Sequence, residues 1–145
     1  MKRIGIIAHD ERKEDLLLWV GRNLEAFREI HLFATGTTGR LLVERYPGLE
    51  VTRFRSGPLG GDQQMGSHIA EGEIDGLIFF IDPLGTHPHD VDIKALLRLA
   101  VLYNIPSAFN QATADFLVTS PHFRGGYVPQ RKSYEPYINR FAAKG

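Results

Sequence analysis

Four stretches of this chain concentrate side chains able to do chemistry: His9-Asp10, Thr35-Gly36-Thr37-Thr38-Gly39, Ser56 to Asp62, and His87-Pro88-His89-Asp90-Val91-Asp92. The threonine and glycine turn reads as an anion cradle, because glycine lets backbone N–H groups come close while three hydroxyls and a helix N-terminus add donors. It is not a Walker A loop, since the spacing differs and no Lys-Ser or Lys-Thr follows. The alternative is a helix cap with a tight turn. Ser56-Gly57 and Lys13 strengthen the cradle reading, as a phosphate dianion is better neutralised by an ammonium than by hydroxyls alone. Asp62 follows Gly60-Gly61 at the start of a helix, where the macrodipole favours a carboxylate. It reads as an N-cap, a general base, or both. The histidine and aspartate cluster admits a zinc or iron site by ligand type. Pro88 constrains its spacing and its ligand set is partial, so the other reading has Asp90 capping a helix and His89 and Asp92 free to act on a substrate. His68 and His122 have no motif around them and read as surface or capping residues.

These groups need elements to position them, and short apolar runs alternating with segments of helical period predict a parallel sheet covered by helices on both faces. The strands expected are Arg3 to Ala8, Ile30 to Ala34, Val51 to Phe54 near an edge, Gly76 to Ile81 in the centre, and Ser107 to Phe109. After the first strand, Leu16, Leu17, Trp19, Val20, Leu24 and Phe27 form the apolar stripe of one helix. Leu41, Leu42 and Tyr46 mark a second, closed by Pro47 and Gly48. Further helices are expected from about Asp62 to Glu71, from the His-Pro-His-Asp stretch to about Tyr103, around Thr113 to Val118, and from Tyr134 to Ala143. In open α/β sheets ligands collect beyond the carboxyl ends of the strands. Every chemically able stretch above falls there, so one pocket can hold them all.

With 145 residues the chain is the size of one ordinary domain, and residues 1–145 are read as such. Seventeen basic side chains balance 17 acidic ones, so no overall field argues for nucleic acid or an anionic membrane. The absence of cysteine excludes a disulfide framework, a thiolate metal site and a cysteine nucleophile. No apolar stretch approaches the roughly 20 residues that span a bilayer, and the first apolar run meets Asp10 and Glu11 too soon for a signal peptide. The expectation is a cytoplasmic protein with no membrane partner.

Ala8-His9-Asp10, Thr35 to Gly39, Ser56-Gly57-Pro58-Leu59-Gly60-Gly61-Asp62-Gln63-Gln64, Phe79-Phe80-Ile81-Asp82-Pro83-Leu84, Pro88-His89-Asp90, Lys94-Ala95-Leu96-Leu97-Arg98 and Asn104-Ile105-Pro106 occur in one order over nearly the whole chain. Together they resemble the methylglyoxal synthase family. The resemblance implies a single-domain α/β three-layer sandwich on a five-stranded parallel sheet, related to Rossmann and flavodoxin-like folds. It also implies a homohexamer, no cofactor and no metal, and a lyase converting dihydroxyacetone phosphate into methylglyoxal and inorganic phosphate, with phosphate as inhibitor. Carried over by position, the catalytic base falls on Asp62. Substrate and phosphate contacts fall on His9, Lys13, Thr35, Gly36, Thr37, Thr38, Ser56, Gly57 and His89, with Asp10, Asp82 and Asp92 as supporting carboxylates. His89 is expected to stabilise an oxyanion, with Asp92 orienting it or relaying protons. Arg140 is the nearest candidate for an arginine that reaches a neighbouring subunit. Two rivals from other classes are an effector-binding module like the allosteric domain of carbamoyl-phosphate synthetase and a metal-dependent hydrolase built on the histidine cluster.

Overall fold

The computed structural model describes residues 2–142. Its five strands are β1 (Lys2–Ala8), β2 (Ile30–Ala34), β3 (Glu50–Arg53), β4 (Gly76–Phe80) and β5 (Ser107–Ala108). All pair in parallel, in the order β3-β2-β1-β4-β5. The helices between and after them are α1 (Lys13–Arg22), α2 (Gly36–Arg45), α3 (Gly61–Ala70), α4 (Asp90–Leu102), α5 (Gln111–Thr119), α6 (Pro121–Arg124) and α7 (Glu135–Ile138). Among the described residues, no helix is long and apolar enough to cross a membrane.

Alternation along each strand splits the core into two layers. Ile4, Ile6 and Ala8 of β1 point to one face, where Leu16, Leu17, Trp19 and Val20 of α1, Leu42 of α2, Ala114 of α5 and Phe123 of α6 meet them. Ile7 points to the other face and joins Met65 and Ile69 of α3 with Ile93, Leu96 and Ala100 of α4. Gly5 shares that second face, and the close seat of α3 depends on it: a Cβ there would lie 2.6 Å from Met65 Sδ. Trp19 is fully buried on the first face and donates its indole N–H to Asp115 at 2.8 Å, which satisfies the one polar atom it carries inward.

β3 takes the edge expected of it, but β4 is one strand away from the centre, which belongs to β1. Both strands are apolar on both faces, and apolarity alone does not rank two fully covered strands. The chain lays β2 and β3 to one side of β1 and then returns to lay β4 and β5 on the other. This reversal opens a crevice between the carboxyl ends of β1 and β4, where α/β sheets bind ligands.

Three expectations about helices change. α1 stops at Arg22, and Leu24–Phe27 forms a separate 3-10 turn in which Phe27 is buried while Leu24 is 40 % exposed. Asn23 ends the helix by donating its side-chain amide to the Trp19 carbonyl, so the apolar spacing outlasts the helix itself. α6, a single turn entered through Ser120 and Pro121, was not expected; the Ser120 hydroxyl accepts from the His122 N–H. The C-terminal helix is one turn, Glu135–Ile138, and Tyr137, Ile138 and Phe141 are exposed rather than packed on the sheet. Ala143, its expected end, lies outside the described residues.

Candidate active site

A cleft of about 210 Å³ sits at the crevice, lined by His9, Asp10 and Lys13 after β1, Thr35, Thr37 and Thr38 after β2, Ser56, Gly57 and Asp62 after β3, and His87 and His89 after β4. It is smaller than the roughly 300–1,000 Å³ that holds drug-sized ligands. Asp10, Lys13, the three threonines, Ser56, Gly57, Asp62, His9 and His89 are thus brought together as the sequence suggests. A larger groove of about 480 Å³ lies at the amino ends of the strands, between Lys2, Arg28, Asp75 and Arg124. The two differ in one decisive respect. Among the described residues, the buried side-chain polar atoms without a protein hydrogen-bond partner are His9 Nε2, Thr38 Oγ1, both oxygens of Asp62, His87 Nε2 and His89 Nδ1. All five residues line the smaller cleft and none lines the groove. Buried polar groups are ordinarily paired, so five orphans aimed at one space mark where a polar ligand binds.

Asp62 is placed by glycines. Gly60 sits at φ 103°, in the left-handed region, and turns the chain into α3. Gly61 passes so close to the previous loop that a Cβ would lie 1.9 Å from the Arg55 carbonyl oxygen. Asp62 is therefore the second residue of α3 and not its cap, which is Gly60, and the side chain makes no capping bond. It turns inward instead and is 2 % exposed. Burial pushes its carboxyl above the ordinary value of 3.8; His89 opposes that shift and Asp92 adds to it. His89 Nε2 stands 3.5 Å from Asp62 Oδ2.

His9 is held by a main-chain donor: the Asp82 N–H bonds to His9 Nδ1 at 2.9 Å. Since Nδ1 accepts, the proton of the neutral ring must sit on Nε2, which makes Nε2 a donor into the cleft. The ring is 6 % exposed and stays uncharged well into acid, drawn down from 6.5 to about 4 by burial first and then by His87 and His89. Asp82 itself does not line the cleft; its carboxylate accepts from the Leu84 N–H and ties the loop after β4.

The threonine turn forms the opposite wall. Thr35 and Ser56 occupy cap positions of α2 and of the 3-10 turn Gly57–Leu59, yet neither side chain makes a capping bond, so both hydroxyls are available. The cap alternative for this turn thus holds for the backbone of Thr35 and not for its hydroxyl. The first-turn N–H groups of α2 have no acceptor within their own helix. Gly36 is the exception within the cradle: its N–H goes to the Arg55 carbonyl at 3.1 Å and it does not line the cleft. Its job is close approach, as a Cβ would lie 2.7 Å from the Ser56 nitrogen. Lys13 donates to the Ala8 carbonyl and to Asp10, both at 2.8 Å, which parks its ammonium at the rim and holds the Asp10 carboxyl below its ordinary range.

Besides Gly36 and Asp82, two expected members, Asp92 and Arg140, lie outside the lining. Asp92 makes no side-chain hydrogen bond to His89; it sits in the first turn of α4 and acts on Asp62 through its field. Asp90 is the first residue of α4, whose cap is His89, so it does not cap that helix. Arg140 stacks over Tyr137 and donates to the Tyr137 carbonyl, away from the cleft of its own chain. Among the described residues, His, Asp and Glu side chains nowhere form a group of three able to hold a metal ion. His87, which the sequence offered only as part of a metal-ligand cluster, enters the cleft with its ring stacked on His9. The signal was Pro88 between the two histidines, a turn former; the Asp90 N–H closes that turn on the His87 carbonyl at 3.3 Å.

Known proteins are similar to this chain in sequence and in fold. A family model described as the MGS-like domain matches residues 16–109. A methylglyoxal synthase of Oleidesulfovibrio alaskensis is 63 % identical over 143 residues, covering 99 % of this chain and 97 % of that one. One from Hahella chejuensis is 54 % identical over 94 % of this chain and 88 % of its own. Among solved structures, the crystal structure of methylglyoxal synthase from Elizabethkingia anophelis superposes with a TM-score of 0.89 at 47 % identity, covering 96 % of this chain and 91 % of that one.

Proposed function

The chain belongs to the methylglyoxal synthase family, and we propose that its cleft performs that family's reaction, dihydroxyacetone phosphate to methylglyoxal and inorganic phosphate, with Asp62 as the general base. The observation that carries the assignment is a buried carboxylate, neither oxygen with a hydrogen-bond partner, in a cleft shared with imidazoles and walled by hydroxyls. An ionised carboxylate there repels any bound anion, a cost that serves an enzyme needing a base and serves nothing in a module that only binds anions. That weighs against a module that only binds effectors.

Asp62 takes a proton from the hydroxymethyl carbon of the substrate, and burial makes it a stronger base than a solvated carboxylate. The electron pair left on carbon moves into the carbonyl to give an enediolate. The Nε2–H of His9, and His89 beside Asp62, act as donors for its two oxygens. Both phosphate-bearing carbon and leaving group are then gripped by Thr35, Thr37, Thr38, Ser56 and the N-terminus of α2, with Lys13 at the rim neutralising charge. That grip holds the C–O bond perpendicular to the enediolate plane, so that the electron pair expels phosphate and leaves the enol of methylglyoxal, which tautomerises after release. Triosephosphate isomerase, a worked case of carboxylate and neutral histidine making an enediolate from this substrate, must prevent that elimination. The two outcomes differ in the torsion enforced, not in the acid and base employed.

Further parts of the reading follow from family membership. Residues 1–145 act as one domain in the cytoplasm, without cofactor or metal. Six copies assemble, with Arg140 reaching a neighbour's site and Asp10 and Asp82 in support. Inorganic phosphate inhibits by occupying the cradle. Incubation of the purified protein with dihydroxyacetone phosphate in chelator-treated buffer tests the assignment directly: methylglyoxal and phosphate should appear in equal amounts. Phosphate release without methylglyoxal would assign a hydrolase instead.

A further inference from the structure

His87 lies outside the mechanism just given, yet it is the ring in closest contact with a ring that the mechanism uses. Its imidazole stacks on that of His9 with centroids 3.7 Å apart and planes 20° from parallel. His9 also meets Phe79 in an edge-to-face arrangement with centroids 5.0 Å apart, and its Nδ1 is bonded to the Asp82 N–H. The His9 ring is thus fixed by Phe79, at one nitrogen and on one face, and His87 supplies the face. The loop after β4 is shaped to bring His87 there: the Asp82 carboxylate accepts from the Leu84 N–H, and Gly85 runs so close that a Cβ would lie 2.4 Å from Asp82 Oδ2 and 3.2 Å from His87 Cε1. We propose that His87 is a positioning residue for His9, a flat clamp that holds the ring with Nε2–H aimed at the substrate oxygen.

The clamp is also a charge device. The titratable or charged groups facing His9 are Asp82, His87 and His89 from the loop after β4, Lys13 from α1, Asp10 from the 3-10 turn Asp10–Arg12 after β1, and Asp62 from α3. Of these, His87 opposes a positive charge on His9 more than His89 or Lys13 does, and Asp82 favours it. Two stacked imidazoles do not both protonate readily. His87 therefore keeps His9 in the form whose Nδ1 can accept from Asp82, and so protects the tautomer as well as the orientation. A phenyl ring in its place keeps the plate and removes the titratable nitrogens.

The proposal rests on the reading that His9 contacts the substrate, and the test separates the two. Nitrogen-15 histidine spectra of the ligand-free protein report the tautomer and titration of His9 without any turnover. In the native protein His9 should show a protonated Nε2 and titrate near pH 4. In both His87→Phe and His87→Ala the His9 midpoint should rise by about half a pH unit or more, carrying the acid limb of kcat/KM upward with it. His87→Ala should also lose kcat by at least about tenfold through loss of ring orientation, and His87→Phe should recover most of it. Unchanged His9 titration in both variants overturns the clamp, as does a His87→Phe protein no better than His87→Ala. If His9→Gln proves fully active, the catalytic reading of His9 fails instead, and the spectra still decide whether His87 holds the ring.

Discussion

Asp62→Asn should make this protein more stable while it removes the activity, and the size of both effects follows from the surroundings of one side chain. The native carboxyl is 2 % exposed, neither oxygen has a protein hydrogen-bond partner, and the nearest cationic candidate, His89 Nε2, is 3.5 Å away. A buried unsatisfied neutral group costs about 1–3 kcal/mol and a charged one more, so exchanging carboxylate for amide should return about 1–2 kcal/mol at neutral pH. For a chain of this length that is a rise in Tm of roughly 3–8 °C. The pH dependence has a definite sign. Because burial raises the folded-state pKa of Asp62 above 3.8, the folded chain holds a proton that the unfolded chain has released across the window between those two values. Native stability falls as pH rises through that window and the cost is complete above it. The advantage of the amide should therefore be greatest at pH 7 and shrink as pH falls toward 3.8. Thermal scans of both proteins at pH 7 and pH 4.5, with turnover measured on the same samples, provide the check. Turnover should drop by at least about a hundredfold with phosphate affinity retained, as expected when a general base is removed. A variant less stable than the native protein at pH 7 would mean that the carboxylate is well paired and the account of Asp62 is wrong; near-normal turnover would remove it from the mechanism.

Thr37→Ala should weaken substrate binding and phosphate inhibition together, by about 3–10-fold, with a smaller change in kcat; phosphate inhibition curves that superimpose on the native ones would relocate the cradle. His9 predicts an acid-side loss of stability. Between about pH 4 and 6.5 the unfolded chain binds a proton that folded His9 refuses, so stability declines as pH falls through that interval, by up to about 3 kcal/mol. Denaturant melts of His9→Gln should show a shallower decline there, and parallel curves would deny His9 its depressed pKa. Gly57→Ala places a Cβ 2.8 Å from His89 Nε2 and 3.2 Å from Asp62 Oδ2, so it should separate the two and cut kcat/KM by at least about tenfold with an unchanged circular dichroism spectrum.

The legible parts of this chain are those set by neighbours in sequence. Apolar runs bounded by turn residues placed all five strands, and the glycine and threonine turn placed α2, because both signals are local. Strand order is a different matter: it depends on which way the chain turns after β3, and β4 carries no residue that announces the reversal. Leu24 misled because an apolar residue four positions after Val20 keeps the helical period, while Asn23 has already ended the helix. Pro136 at the start of α7 and the exposed Tyr137, Ile138 and Phe141 show apolar spacing without a core to receive it in a single chain. Within the site, residue types were readable and their states were not. Asp62 at a helix N-terminus reads as a stabilised carboxylate, and only the loops that close over it turn that expectation around. The pairing of His87 with His9 joins positions 78 apart in sequence, and no local pattern encodes a stack.

The indole of Trp19 has a practical consequence. It is the one tryptophan in the sequence, and it lies in the α1 layer, across the sheet from the α3 layer that carries Asp62. Its emission is therefore an intrinsic gauge of one half of the interior, blue-shifted while α1 is docked and quenched by dissolved iodide only once that half opens. Comparing that signal with far-ultraviolet ellipticity would reveal whether the two halves melt as one cooperative unit or the catalytic side loosens first.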